Sequence, residues 1–174
     1  MNTKRITKDA ILLALMCVTG MLSIPLGENI KVSLQLLSLF IIFIVADELF
    51  DRILIPALYL LIGLFAPFYA GMIAGITPTF GFVISFVVIA PIFHYTYRYL
   101  PIKNIYLRYV LTCLLCLIVV YIIGTIFMML YLNMDLGKTL LIAVVPYIGF
   151  DIAKIIIATV VLKFLPPSLC DKTR

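Results

Sequence analysis

Charge is scarce in this chain. Of 174 residues only 12% are charged while 65% are hydrophobic, against roughly 25% charged in a soluble domain whose surface faces water. That excludes a water-soluble fold. No polar stretch is long enough to build a separate soluble domain, so residues 1–174 read as a single membrane-embedded domain. Clustered basic residues are missing too. The net charge of +5 is spread over the ends of apolar blocks and is not interleaved with exposed aromatics, which argues against nucleic acid as a partner. No Walker A sequence occurs, so the chain cannot hydrolyse ATP by itself. Met1–Lys8 precedes an apolar run without a small-residue cleavage site, the pattern of a retained first helix and not of a signal peptide.

Metal-binding and nucleophilic groups are also sparse. Cys113 and Cys116 form a C-x-x-C, but both lie in the apolar run 110–123 with no histidine or acid nearby. A thiol in that setting behaves as a small hydrophobe, so neither a metal nor a cofactor is expected. The single histidine, His94, reads as an interfacial or helix-packing residue near the inner end of its block. Without a nucleophile beside a base, or a metal cluster, an intramembrane enzyme is disfavoured.

What the chain has in abundance is long apolar blocks. They run from about Asp9 to Ile24, Leu34 to Phe50, Ile53 to Tyr69, Phe80 to Tyr97, Tyr109 to Leu132, and from the turn Asn133–Lys138 to Leu165, where Pro166-Pro167 stops the last. A span needs about 20 apolar residues, so the reading is an all-α integral membrane protein of six transmembrane helices, solvated by the lipid bilayer. Pro91 predicts a kink in the fourth. With the N-terminus inside, the inner segments hold Lys4, Arg5, Lys8, Arg52, Arg98, Lys103, Arg108, Lys163, Lys172 and Arg174, and the outer turns hold only Lys31 and Lys138. Ten basic residues against two place both termini on the cytoplasmic side. The outer loops are then the turn near Glu28 and Asn29, the Gly/Thr/Pro loop 70–79, and the turn near Asp135. The middle loop is the longest, so a binding site is expected to open outward.

Twelve of the thirteen basic residues fall at block edges on this reading; Lys154 is the exception. It follows Asp151 by three residues, which puts both side chains on one helix face. Ionisable groups inside a membrane are costly and usually mark a functional site facing the protein interior. Pro146 fits the first turn of that helix, which would set the pair within about two turns of the outer end, at the floor of an outward-facing cavity. Lys154 suits an anion or carbonyl, and Asp151 suits N–H or O–H donors. Opposite charges side by side suit a small amphiphilic organic solute better than an ion. Tyr69, Tyr147, Phe80, Phe82 and Phe150 are candidates to line an apolar pocket, or to anchor the chain at the interface. Ala10 and Ala14 form a small-x-x-x-small pair that lets another helix approach closely.

Short motifs then accumulate in order. Val32-Ser33-Leu34-Gln35 is similar to V-P-I-T-L-Q at the opening of a second helix. Leu58-Tyr59-Leu60-Leu61-Ile62-Gly63 followed by Pro67-Phe68-Tyr69-Ala70-Gly71 looks like L-Y-L-L-L-G…P-V-F-A-G, and Thr77-Pro78-Thr79-Phe80-Gly81-Phe82 looks like G-P-T-G-G-Y. With the D-x-x-K of Asp151 and Lys154, these segments resemble the BioY biotin transporters, the substrate-binding (S) components of energy-coupling factor (ECF) transporters. The resemblance covers nearly the whole chain. It implies a six-helix fold, a cavity under the loop between the third and fourth helices, and a ligand site that includes Asp151, Lys154, Gly71, Met72, Gly75, Tyr69, Phe82, Tyr147 and Gln35. It also implies docking of Ala10 and Ala14 against a transmembrane coupling protein, which works with ATPase subunits in the cytoplasmic membrane of bacteria.

The chain departs from the family pattern at Ala70-Gly71-Met72-Ile73-Ala74-Gly75, which is apolar where a glycine-rich loop with polar groups is usual, and at Val83. A ureido ring wants hydrogen-bond partners, because an unpaired polar group in a dry pocket costs about 1–3 kcal/mol. Biotin is the ligand the resemblance implies. Lipoate, with a carboxylate and an apolar dithiolane, is the alternative that the 71–75 segment suits. A stand-alone secondary transporter is a further alternative.

Overall fold

A computed structural model of the chain describes residues 3–25 and 31–166. Helix α1 (Thr3–Met21) leads into a two-stranded antiparallel hairpin, β1 (Ser23–Pro25) and β2 (Lys31–Ser33). Helices α2 (Gln35–Val45), α3 (Leu49–Phe65), α4 (Phe80–Tyr99), α5 (Ile105–Leu132), α6 (Leu136–Ala143) and α7 (Ile148–Phe164) follow. The small hairpin is an addition to the all-helical expectation. Glu28 and Asn29, assigned above to the first outer turn, lie outside the described residues, as do Lys172 and Arg174.

The chain is a multi-pass membrane protein. Helices α4 and α5 are each long and apolar enough to cross a bilayer, and α6 with α7, bent by 46° at a short break, pass the same test when the pair is taken as one span. The six apolar blocks map onto α1, α2, α3, α4, α5 and the α6–α7 pair, with shifted edges. Helix α1 begins at Thr3 and not at Asp9, because its first turns are held by ions across to the α2–α3 junction: Arg5 to Glu48 and to Asp51, each at 2.6 Å, and Lys8 to Asp47 at 2.6 Å. Helix α3 ends at Phe65, so the connecting loop starts four residues earlier than expected. Helix α5 begins at Ile105, inside what reads as a basic turn, since the Asn104 side chain accepts from the backbone N–H of Tyr106 and Leu107. Helix α4 runs unbroken through Pro91.

Arg52, in the first turn of α3, is turned into the protein: it is 1% exposed. Its guanidinium donates to the carbonyls of Phe43 (2.7 Å) and Ala46 (3.2 Å) and meets Nδ1 of His94. Those bonds satisfy the backbone where α2 gives way to α3, and they make buried His94 a packing residue. One correction concerns proline: Pro146 does not open the last helix. It lies in the break between α6 and α7, and Tyr147 caps α7.

The core joins α1, α2, α3, α4, α5 and α7 around Met16, Leu39, Phe40, Phe43, Ile55, Tyr59, Ile89, Phe93 and Tyr109. Cys113 and Cys116 are buried within it as free thiols. On the other side of α1, Ala10 and Ala14 are exposed beside Ile11, Leu15 and Val18.

Candidate functional site

A cavity of about 640 Å³ lies at the end of the bundle that carries the 66–79 loop and the α6–α7 break. Its wall is assembled from the first turn of α2 (Gln35, Leu36), the loop (Tyr69, Ala70, Thr77, Thr79), the first turns of α4 (Phe82, Val83, Phe86), the second half of α5 (Val120, Tyr121, Met128), and the α6–α7 break with Pro146 and Tyr147. Asp151 and Lys154 complete it from α7.

Local structure explains why the charged pair sits there. The break at 144–147 restarts the helix at Ile148, which places Asp151 in the first turn of α7. The partial positive charge of a helix N-terminus favours a carboxylate there. Lys154 follows on the same face and donates to Asp151 Oδ1 at 2.7 Å. Both residues are buried, at 6% and 7% exposure. The other carboxylate oxygen, Oδ2, accepts from the Tyr121 hydroxyl at 2.6 Å. Among the described residues each Asp151 oxygen thus has one side-chain donor and the capacity to accept another, and one of the three N–H groups of the ammonium is used.

A second polar chain fixes another part of the wall. Gln35 Nε2 donates to the Tyr59 hydroxyl at 2.5 Å, and that hydroxyl donates to the Phe68 carbonyl at 2.8 Å. Tyr69 donates to the Leu60 carbonyl at 2.5 Å, with its ring lying where a Cβ on Gly63 would fall. The loop is then pinned to α3 by Gly75 N–H on the Gly63 carbonyl, 3.0 Å. Gly71 and Gly75 take φ of 80° and 84°, the left-handed region that glycine adopts without a steric penalty. Met72 takes φ of 58° between them, with its side chain 63% exposed.

Of the residues singled out in the sequence, Asp151, Lys154, Tyr69, Phe82, Tyr147 and Gln35 come together on this cavity. Gly71, Met72 and Gly75 shape the overlying loop and are not among the lining residues. Phe80 packs between Tyr69 and Phe127, at ring separations of 6.0 and 5.9 Å, and Phe150 is exposed; neither lines the cavity. The sequence reading missed Tyr121. Its one signal was a phenol deep within an apolar run, where a hydroxyl needs a partner.

The BioY family model matches residues 1–170. This chain belongs to the BioY family. A solved structure described as "Crystal structure at 2.1 A of the S-component for biotin from an ECF-type ABC transporter" resembles this BioY chain with a TM-score of 0.81. The two are 20% identical, over 95% of this chain and 96% of that one. At that identity the likeness establishes the fold, that of an ECF S-component. No curated protein matches the sequence. The D-x-x-K motif of this BioY chain therefore lines a cavity, in an S-component fold, with a tyrosine from α5 as a third member.

Proposed function

We propose that this chain is the substrate-binding membrane subunit of an ATP-driven ECF vitamin transporter, and that its ligand is biotin. The observation that carries the reading is the buried Asp151–Lys154 pair lining the cavity. Family membership and the fold of a biotin S-component support it. Lys154 receives an anionic or carbonyl group, and Asp151 accepts N–H donors from the ligand. The remaining wall, with Leu36, Val83, Phe86, Val120 and Met128, buries the apolar part of the molecule.

In this reading the chain is not an enzyme. It lies in the bacterial cytoplasmic membrane with both termini inside, as the distribution of Lys and Arg supports. The ligand enters from outside, and the 66–79 loop, with Gly71, Met72 and Gly75 at its bends, closes over the cavity. Ala10 and Ala14, on the exposed face of α1, dock onto the transmembrane coupling protein, and ATPase subunits supply the energy. Lipoate is the second reading, favoured by the apolar wall and by the apolar sequence 71–75.

The test is native mass spectrometry of the purified single chain from cells supplied with both vitamins. Release of biotin supports the assignment. Release of lipoate alone moves the assignment to the second reading, and release of neither, with failure to take up either on soaking, removes both.

A further inference from the structure

Within the proposed vitamin site, we infer that Tyr121 is a positioning residue: its hydroxyl holds the Asp151 carboxylate in place to accept N–H donors from the ligand. The inference rests on the binding reading above for its ligand, and on geometry for the rest. Among the described residues Asp151 has two side-chain donors, on two different helices. Lys154, one turn along on α7, engages Oδ1 at 2.7 Å, and Tyr121 on α5 engages Oδ2 at 2.6 Å. All three residues line the cavity.

The two donors pull the carboxylate in ways that matter for binding. With Lys154 alone, the carboxylate is free to turn and present both oxygens to the ammonium, closing the ion pair on itself and using up the groups a ligand needs. With Tyr121 holding Oδ2, the pair stays open. One oxygen belongs to Lys154 and one to Tyr121, and each keeps a lone pair for an incoming N–H. The same hydrogen bond ties the first turn of α7 to the middle of α5, so the carboxylate is registered against two walls of the cavity at once. Tyr121 therefore acts on donors through Asp151. It should matter little to a ligand whose ring carries no N–H and which uses only Lys154.

The experiment compares Tyr121→Phe with wild type by titration of biotin and of lipoate, with thermal melting as a control on folding. The expected result is a loss of roughly tenfold or more in biotin affinity, in the range of a hydrogen bond to a charged group, with lipoate affinity changed less than about twofold. Equal weakening of both vitamins, or unchanged biotin binding, overturns the inference and leaves Tyr121 as wall. If wild type binds no biotin, the functional reading has failed, and the positioning role is decided on the ligand-free protein by infrared spectroscopy. The carboxylate stretch lost in Asp151→Asn should shift in Tyr121→Phe. An unshifted band shows that Tyr121 does not hold the carboxylate.

Discussion

At the scale of single residues, two buried cations do different jobs. Lys154 faces the cavity, while Arg52 is absorbed in backbone capping and is not among the cavity-lining residues. Truncating one partner of a buried charge pair formed across a binding interface, as Lys154 forms with the vitamin's carboxylate in this reading, costs about 2–5 kcal/mol. Lys154→Ala should therefore weaken biotin binding by at least about thirtyfold, measured by titration. Arg52→Leu leaves the Phe43 and Ala46 carbonyls without their donors, at about 1–3 kcal/mol for each buried group. It should lower the melting temperature in detergent while the residual folded protein binds with wild-type affinity. Reduced affinity at full stability would reverse these roles. The difference was not legible in the sequence. Asp151 and Lys154 stand out because they interrupt an apolar run at helical spacing. Arg52 sits in a cluster of charges, Asp47 to Arg52, that reads as a polar turn. Only the chain reversal between α2 and α3 turns it inward.

At the scale of elements, glycines separate packing from free space. A side chain at Gly63 would fall on the Tyr69 ring, which lines the cavity, whereas Gly149 in α7 has open space around it. Gly63→Val should cost both stability and ligand affinity. Gly149→Ala should be neutral or stabilising, by up to about 1 kcal/mol of helix propensity; a melting curve for each checks the contrast. Helix α1 gives a further test. Ala10 and Ala14 are exposed on the side away from Leu12, Met16 and Gly20, which pack inward. Ala14→Trp should block assembly with the coupling protein in a pull-down while the isolated chain binds vitamin normally. Loss of binding in the isolated chain would assign these alanines to the fold. Most helix positions could be read from apolar block length alone. The α6–α7 break could not, because its residues Val144-Val145-Pro146-Tyr147 are as apolar as the helices they separate. Pro146 reads equally well as a first-turn residue or as a breaker.

At the scale of the whole molecule, the order of blocks along the chain specifies which ends meet. The cavity gathers at the end that holds the 66–79 loop and residues 141–147, the same end that the scarcity of Lys and Arg assigns to the outside. Orientation is tested by single cysteines introduced into a cysteine-free background. Positions near Ile73 and Asp135 should react with an impermeant reagent from outside, and positions near Lys103 should not. External labelling at Lys103 would put the cavity on the wrong side for uptake. Distance in the sequence explains what was hidden here: Tyr121 lies 30 residues from Asp151, and Gln35 more than a hundred, so no local pattern joins them. The central claim is that this BioY chain holds biotin on its buried acid–lysine pair. The most direct measurement is calorimetric titration of the purified chain with biotin, run beside Asp151→Asn. The account predicts tight binding by wild type and a sharp loss in the variant, where an oxygen acceptor becomes in part an N–H donor. Equal binding by both proteins, or binding of lipoate with none of biotin, would contradict it.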